Sequence, residues 1–150
     1  MNALQKRSVG LEQCAYSIFR DYLVSEDFEH IKELAWKHHP DKMEKISTEY
    51  KVETVEVLLD KLGIDFIVNY NGMRYAIDVT VGAKNLVRSK LMKLAAMKDF
   101  FDELDCVPVI VRSKRGVLPT DVLDTIEQCK TSYGVKDCRL NASLELVDTN

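Results

Sequence analysis

The chain has 150 residues, 46% hydrophobic and 30% charged, with a net charge of −3. These are the values of one ordinary globular domain with enough chain for a real core. They argue against bulk affinity for nucleic acid, and no apolar run approaches the roughly 18 residues of a membrane span.

The opening MNALQKRSVGLEQ lacks the apolar stretch of a signal peptide. Cys14, Cys106, Cys129 and Cys138 show no C-x-x-C spacing and, with His38 and His39, no recognisable zinc spacing. A reduced, cytoplasmic protein is the simpler reading.

Taken in order, VGLEQCAYSIFRDYL places Leu11, Cys14, Ala15, Ile18, Phe19 and Tyr22 at helical spacing and predicts a helix over 9–24. SEDFEHIKELAWKHH opens on a serine cap signal and predicts a second helix, stopped near Pro40. STEYKVETVEVLLDKLG predicts a third, with Val52, Val55, Leu59 and Leu62 on one face and Gly63 at its end. Next, in GIDFIVNYNGMRYAIDVTVGAK, Asn71-Gly72 sits between alternating apolar residues. That is the strongest short-range hairpin signal, because the two-residue turn needs φ > 0 at both central positions.

AKNLVRSKLMKLAAMKDFFDEL predicts one long helix with Val87, Leu91, Leu94 and Phe101 inward, and CVPVIVRS a buried strand. PTDVLDTIEQCKTSYG reads as a helix capped by Thr120 and stopped by Gly134, and CRLNASLELV as a last strand. The order helix, strand, strand, helix, strand gives an α/β fold, a mixed central sheet flanked by helices, in a single domain over 1–150.

Two aspartates interrupt the apolar strands. With Asn71-Gly72 as the loop, Tyr70 faces Met73, Asn69 faces Arg74, and the same register continued sets Asp65 opposite Asp78. Like charges so placed are destabilising, their Cβ atoms roughly 4.5–5.5 Å apart. Either each aspartate caps something separately, or a cation sits between them, as hard divalent ions do between carboxylates.

Charge is also unevenly distributed. From Arg74 to Lys98 the basic residues are Arg74, Lys84, Arg88, Lys90, Lys93 and Lys98, with Asp78 the only acid; Arg112, Lys114 and Arg115 follow. A phosphate backbone could meet these locally, and a solvated helix face accounts for the same pattern.

At these residues the chain resembles the PD-(D/E)XK, restriction-endonuclease-like nuclease superfamily, whose members carry an aspartate on one strand of a hairpin and Asp or Glu, one residue, then Lys on the other. Asp65 matches the first position and Asp78 the acidic one. The resemblance covers about 63–113 and, through the G-x-E-x-x-A-like start VGLEQCA, the first helix 9–24. The helices over about 26–62 read as an N-terminal insertion. They would supply subunit contacts or target recognition.

The resemblance implies Mg²⁺, for which Mn²⁺ would substitute, held by Asp65, Asp78, the Val79 carbonyl and Glu12, with Glu56 as the alternative glutamate. The family's lysine position holds Thr80. Some members recruit a lysine from a neighbouring element, and Lys84 and Lys90 are the nearest. Arg74, Arg88, Lys93, Arg112, Lys114 and Arg115 are the candidate DNA contacts. The activity implied is Mg²⁺-dependent hydrolysis of DNA phosphodiester bonds by a restriction, homing or junction-resolving endonuclease, acting as a homo-oligomer and carried by a host, phage or other mobile element.

Thr80 favours a different class, a non-catalytic nucleic-acid-binding or assembly module on a degenerate nuclease fold. A third reading starts from His39-Pro40-Asp41, which resembles the tripeptide of J-domain co-chaperones, but the segment before it is too short and the β-rich second half is left unexplained. Pro40 as a helix stop with Asp41 capping the next turn accounts for the tripeptide structurally.

Overall fold

In this computed structural model, residues 16, 19–70, 72–80, 84–113, 120–140 and 146–148 are described. Those at 84–86, 113, 120–123, 137–140 and 146–148 are described by their backbone alone. The predicted first helix, with Cys14, falls largely outside them; Phe19 is buried, and a single 3₁₀ turn spans Arg20–Tyr22.

Three helices precede the hairpin: α1 (Phe28–His38), α2 (Pro40–Glu49) and α3 (Val55–Leu62). Asp27, not Ser25, caps α1, accepting from the backbone N–H groups of Glu29 and His30. Pro40 does more than stop α1. Its fixed φ and missing N–H suit the first position of a helix, and it opens α2 directly after His39. The predicted third helix divides at 50–54, where Tyr50 is extended and Thr54 caps α3 through the Val57 N–H.

The sheet has five strands in the order β1-β2-β3-β4-β5: β1 (Phe66–Tyr70), β2 (Met73–Thr80), β3 (Val107–Ser113), β4 (Lys136–Leu140) and β5 (Leu146–Asp148). β1 and β2 form the predicted hairpin, with Tyr70↔Met73 and Asn69↔Arg74 paired and Gly72 at φ 80°. β3 lies parallel to β2 and β4 parallel to β3, while β5 returns antiparallel. The predicted last strand is therefore two. α4 (Lys84–Ala96) and α5 (Lys98–Leu104), divided at Met97, replace the single long helix, and α6 (Thr120–Tyr133) joins β3 to β4.

Three helices hand over to strands through one device. After α3, Gly63 takes φ 89°, its N–H donating to the Asp60 carbonyl and that of Ile64 to Leu59. Asp105–Cys106 after α5 and Gly134–Val135 after α6 reverse the chain similarly, each with a positive φ at the first residue. This left-handed exit satisfies carbonyls at the end of the helix and fixes the angle at which the next strand starts.

Alternation separates the two sheet faces. Ile77, Val79, Val109 and Val111 pack with Phe19 and Val68. Ala76 and Ile110 face the other way, into a core that also takes Ile31 and Leu34 of α1, Met43 and Ile46 of α2, Leu58 and Leu62 of α3, and Val87, Leu91 and Leu94 of α4. The helices over 26–62 thus share one core with the hairpin and are not a detachable addition. Ile31→Ala, at a fully buried position, is expected to cost about 2–5 kcal/mol. Urea denaturation should show the loss in a single cooperative transition; a separate transition for the N-terminal helices would contradict the shared core.

Candidate active site

The site is built where the α3 exit meets the end of β2. Because the Ile64 N–H is committed to Leu59 at 2.9 Å, the strand cannot extend back through it. Asp65 therefore stands just ahead of the ladder, which begins at Phe66↔Ile77, and its N–H donates to the Ile77 carbonyl at 2.8 Å. This corrects the direct Asp65–Asp78 pairing that the hairpin register predicted. The Asp65 side chain instead reaches along β2, its Oδ2 accepting the Val79 N–H at 2.8 Å.

Asp78 lies on the helix-covered face with Ala76 and Thr80, its side chain 4% exposed. Above it, α4 buries Val87, Leu91 and Leu94, and Lys90 stands on the flank of that stripe, where a long side chain can keep its stem packed and extend its charge downward. The Lys90 Nζ donates to Asp78 Oδ1 at 3.0 Å, to Oδ2 at 3.1 Å and to the Val79 carbonyl at 3.5 Å. Burial pushes the Asp78 carboxyl up, the Lys90 charge draws it down, and the Asp65 carboxylate, close enough to share a hydrogen bond, pushes it up again. The result is about 7. Two carboxyl groups in one desolvated place hold either a proton or a cation between them.

Behind this pair, Thr80 is buried, its hydroxyl without a partner among the described residues. Arg112, 5% exposed, is its neighbour in the parallel register of β2 and β3.

Of the other residues read from the sequence, Glu12, Lys114 and Arg115 lie outside the described residues, as does the side chain of Lys84 at the start of α4. Glu56 is exposed in the first turn of α3, the end away from Asp65. Arg74 holds the Leu104 carbonyl at 2.8 Å and pairs with Glu26, closing the end of α5. Arg88 is half-buried, and Lys93 lies against Gly63. One residue with no local signal in the sequence, Lys42 of α2, also comes to this region, its Nζ 3.5 Å from the Leu62 carbonyl.

A cavity of about 290 Å³, lined by Asn69, Arg74, Asp102, Asp105 and Cys106, lies at the turn end of the hairpin, away from Asp78. Cys106 there is a free buried thiol that burial pushes up to about 11.

Asp65, Asp78 and the Val79 carbonyl present the hard oxygen atoms that a divalent cation takes. Lys90 already places a positive charge against two of those three groups. Among the described residues no cluster of three or more His, Cys, Asp or Glu side chains is arranged to hold a metal. The chain matches no known protein-family model, no curated protein and no solved structure.

The raised Asp78 value has a consequence for stability. The folded state binds this proton more tightly than the unfolded chain does, so this group's contribution to stability is fully present below about pH 4 and is lost as pH rises to about 7. The slope from this group is at most ~1.4 kcal/mol per pH unit. Chemical denaturation between those pH values should show the fall in the wild type, and Asp78→Asn should flatten it. An equal slope in the variant would refute the assignment.

Proposed function

We propose that the protein is a Mg²⁺-dependent endonuclease that hydrolyses DNA phosphodiester bonds, built on a restriction-endonuclease-like core. The observation that carries the proposal is the convergence of Asp65 from the α3–β1 junction, Asp78 from β2 and Lys90 from α4 at the end of β2, where Asp78 is buried. A buried carboxyl perturbed by desolvation and by specific charged partners is the kind of group that clusters at functional sites. Lys90, reaching in from α4, answers the objection raised by Thr80, since the positive charge absent from the strand is supplied by the helix.

Asp65, Asp78 and the Val79 carbonyl would hold the Mg²⁺, which when bound supplies Lewis-acid polarisation of the phosphate and a more acidic water. The chain's own groups do the rest. Asp65 is locked by the Val79 N–H, so its free oxygen is aimed without entropic cost at the moment of binding. Lys90, whose ammonium rests on Asp78 and the Val79 carbonyl, would supply the positive charge that stabilises charge developing on the phosphate. With Lys90 partly exposed and Asp78 buried, the reacting position would lie at the mouth of the α4 and β2 contact.

A non-catalytic module is the second reading. The observation favouring it is that Asp65 and Asp78 each already have a structural partner, Val79 and Lys90. The J-domain reading finds less support. His39 lies between α1 and α2 with its ring 6.5 Å from that of Phe100, and burial followed by the Lys42 charge lowers its pKa.

Supercoiled plasmid and a four-way junction, each incubated with Mg²⁺, Mn²⁺ or EDTA, test the proposal. Cleavage is expected only with metal, lost in Asp65→Asn and Asp78→Asn, and reduced about 10²-fold or more in Lys90→Met. Metal-independent cleavage, or full activity in Asp78→Asn, would remove the mechanism; absence of cleavage in all conditions would favour the non-catalytic module.

A further inference from the structure

We infer that Lys42 and Lys93 form a second phosphate subsite beside the acid pair, gripping the backbone of the DNA strand whose reacting phosphate lies at Asp65 and Asp78. This rests on the nuclease reading above and adds to it a residue from the N-terminal helices.

The geometry comes from the end of α3. The Lys42 ammonium approaches the Leu62 carbonyl from α2, and the Lys93 side chain lies directly over Gly63 from α4, where any Cβ would collide with its Nζ and Cε. Two lysines from different helices therefore converge on one helical turn. A single cation at a helix C-terminus is favourable by about 0.3–1 kcal/mol; a second one beside it meets repulsion as well as the same attraction.

Among the described residues neither lysine forms an ion pair with a carboxylate, as is also true of Lys32, Lys45, Lys130 and Lys136; what distinguishes Lys42 and Lys93 is that they converge on one turn. Burial and then the neighbouring Lys93 charge lower Lys42 to about 8. Lys42 is thus a partly buried cation beside the exposed Lys93, and among the described residues no carboxylate pairs with either, which leaves a charge that an external anion would complement.

Position identifies the anion. Gly63 is joined to Asp65 through Ile64 alone, a chain reach of at most ~7 Å. Along α4, Lys93 lies three residues beyond Lys90, a rise of about 4.5 Å. The lysine pair and the acid pair are thus adjacent stations along one edge. A polymer with regularly repeated phosphates occupies both; an isolated anion needs only the first.

Fluorescence anisotropy of a labelled DNA duplex with EDTA present, at salt from about 50 to about 200 mM, tests the subsite. Replacing both residues, Lys42→Gln with Lys93→Gln, is expected to lower the slope of log K against log salt by about 1.8, two contacts at about 0.9 each. Lys42→Arg with Lys93→Arg should keep the slope, and Lys32→Gln, an exposed lysine on α1, should leave it unchanged. The Arg pair separates loss of charge from loss of fold. An unchanged slope in the Gln pair, with the wild type still binding DNA, overturns the subsite and leaves the nuclease reading standing. A wild type that binds no DNA overturns both.

Discussion

A carboxylate withdrawn almost completely from water, Asp78, is the constraint around which the site is arranged. Left alone it would cost several kcal/mol of desolvation, and it is tolerated because the Lys90 ammonium lies 3.0 Å away, while the neighbouring Asp65 carboxylate adds to the burial that draws a proton onto it. Each of those two partners is placed by ordinary local structure. The left-handed exit at Gly63 delivers Asp65, and the buried stripe of α4 delivers Lys90. Parallel pairing of β2 with β3 brings Thr80 and Arg112 to the same face, so the polar groups gather at one end of the sheet while its middle stays apolar.

The N-terminal helices are part of this arrangement. Ile31, Met43 and Leu58 fill the core that α4 covers, so packing that holds α4 over β2 also holds Lys90 over Asp78. α2 adds Lys42 at the same edge. A domain reduced to hairpin, helix and strand would carry the acid pair without the wall that positions its counter-charge. The turn end of the hairpin is organised separately, by Arg74 on the Leu104 carbonyl and Glu26.

Much of the fold was legible because its signals are local. Asn71-Gly72 set the β1–β2 register, Gly63 and Gly134 ended helices where only a left-handed residue fits, and the apolar positions Val87, Leu91, Leu94 and Phe101 are all buried. The misreadings share a cause too. The breaks at 50–54 and at Met97 interrupt stretches whose helical spacing continues across them, and spacing does not register a change of axis. Asp65 fell out of the predicted ladder because the exit from α3 claims the Ile64 N–H first, a competition between two local rules that the hairpin pattern alone does not contain. Lys90 was readable as a lysine flanking an apolar stripe. Lys42 was not, since its neighbours Leu62 and Lys93 come from other helices.

The central claim is that the position now taken by the Lys90 ammonium is a cation site shared by Asp65, Asp78 and the Val79 carbonyl. Titrating Mn²⁺ into the wild type, Asp78→Asn and Lys90→Met, and counting free Mn²⁺ by electron paramagnetic resonance, tests it most directly. The account predicts saturable binding in the wild type, its loss in Asp78→Asn, and tighter binding in Lys90→Met, where the competing ammonium is gone. Equal Mn²⁺ uptake by the wild type and Asp78→Asn, or no uptake even in Lys90→Met, would contradict it and leave the Asp78–Lys90 pair as a structural ion pair.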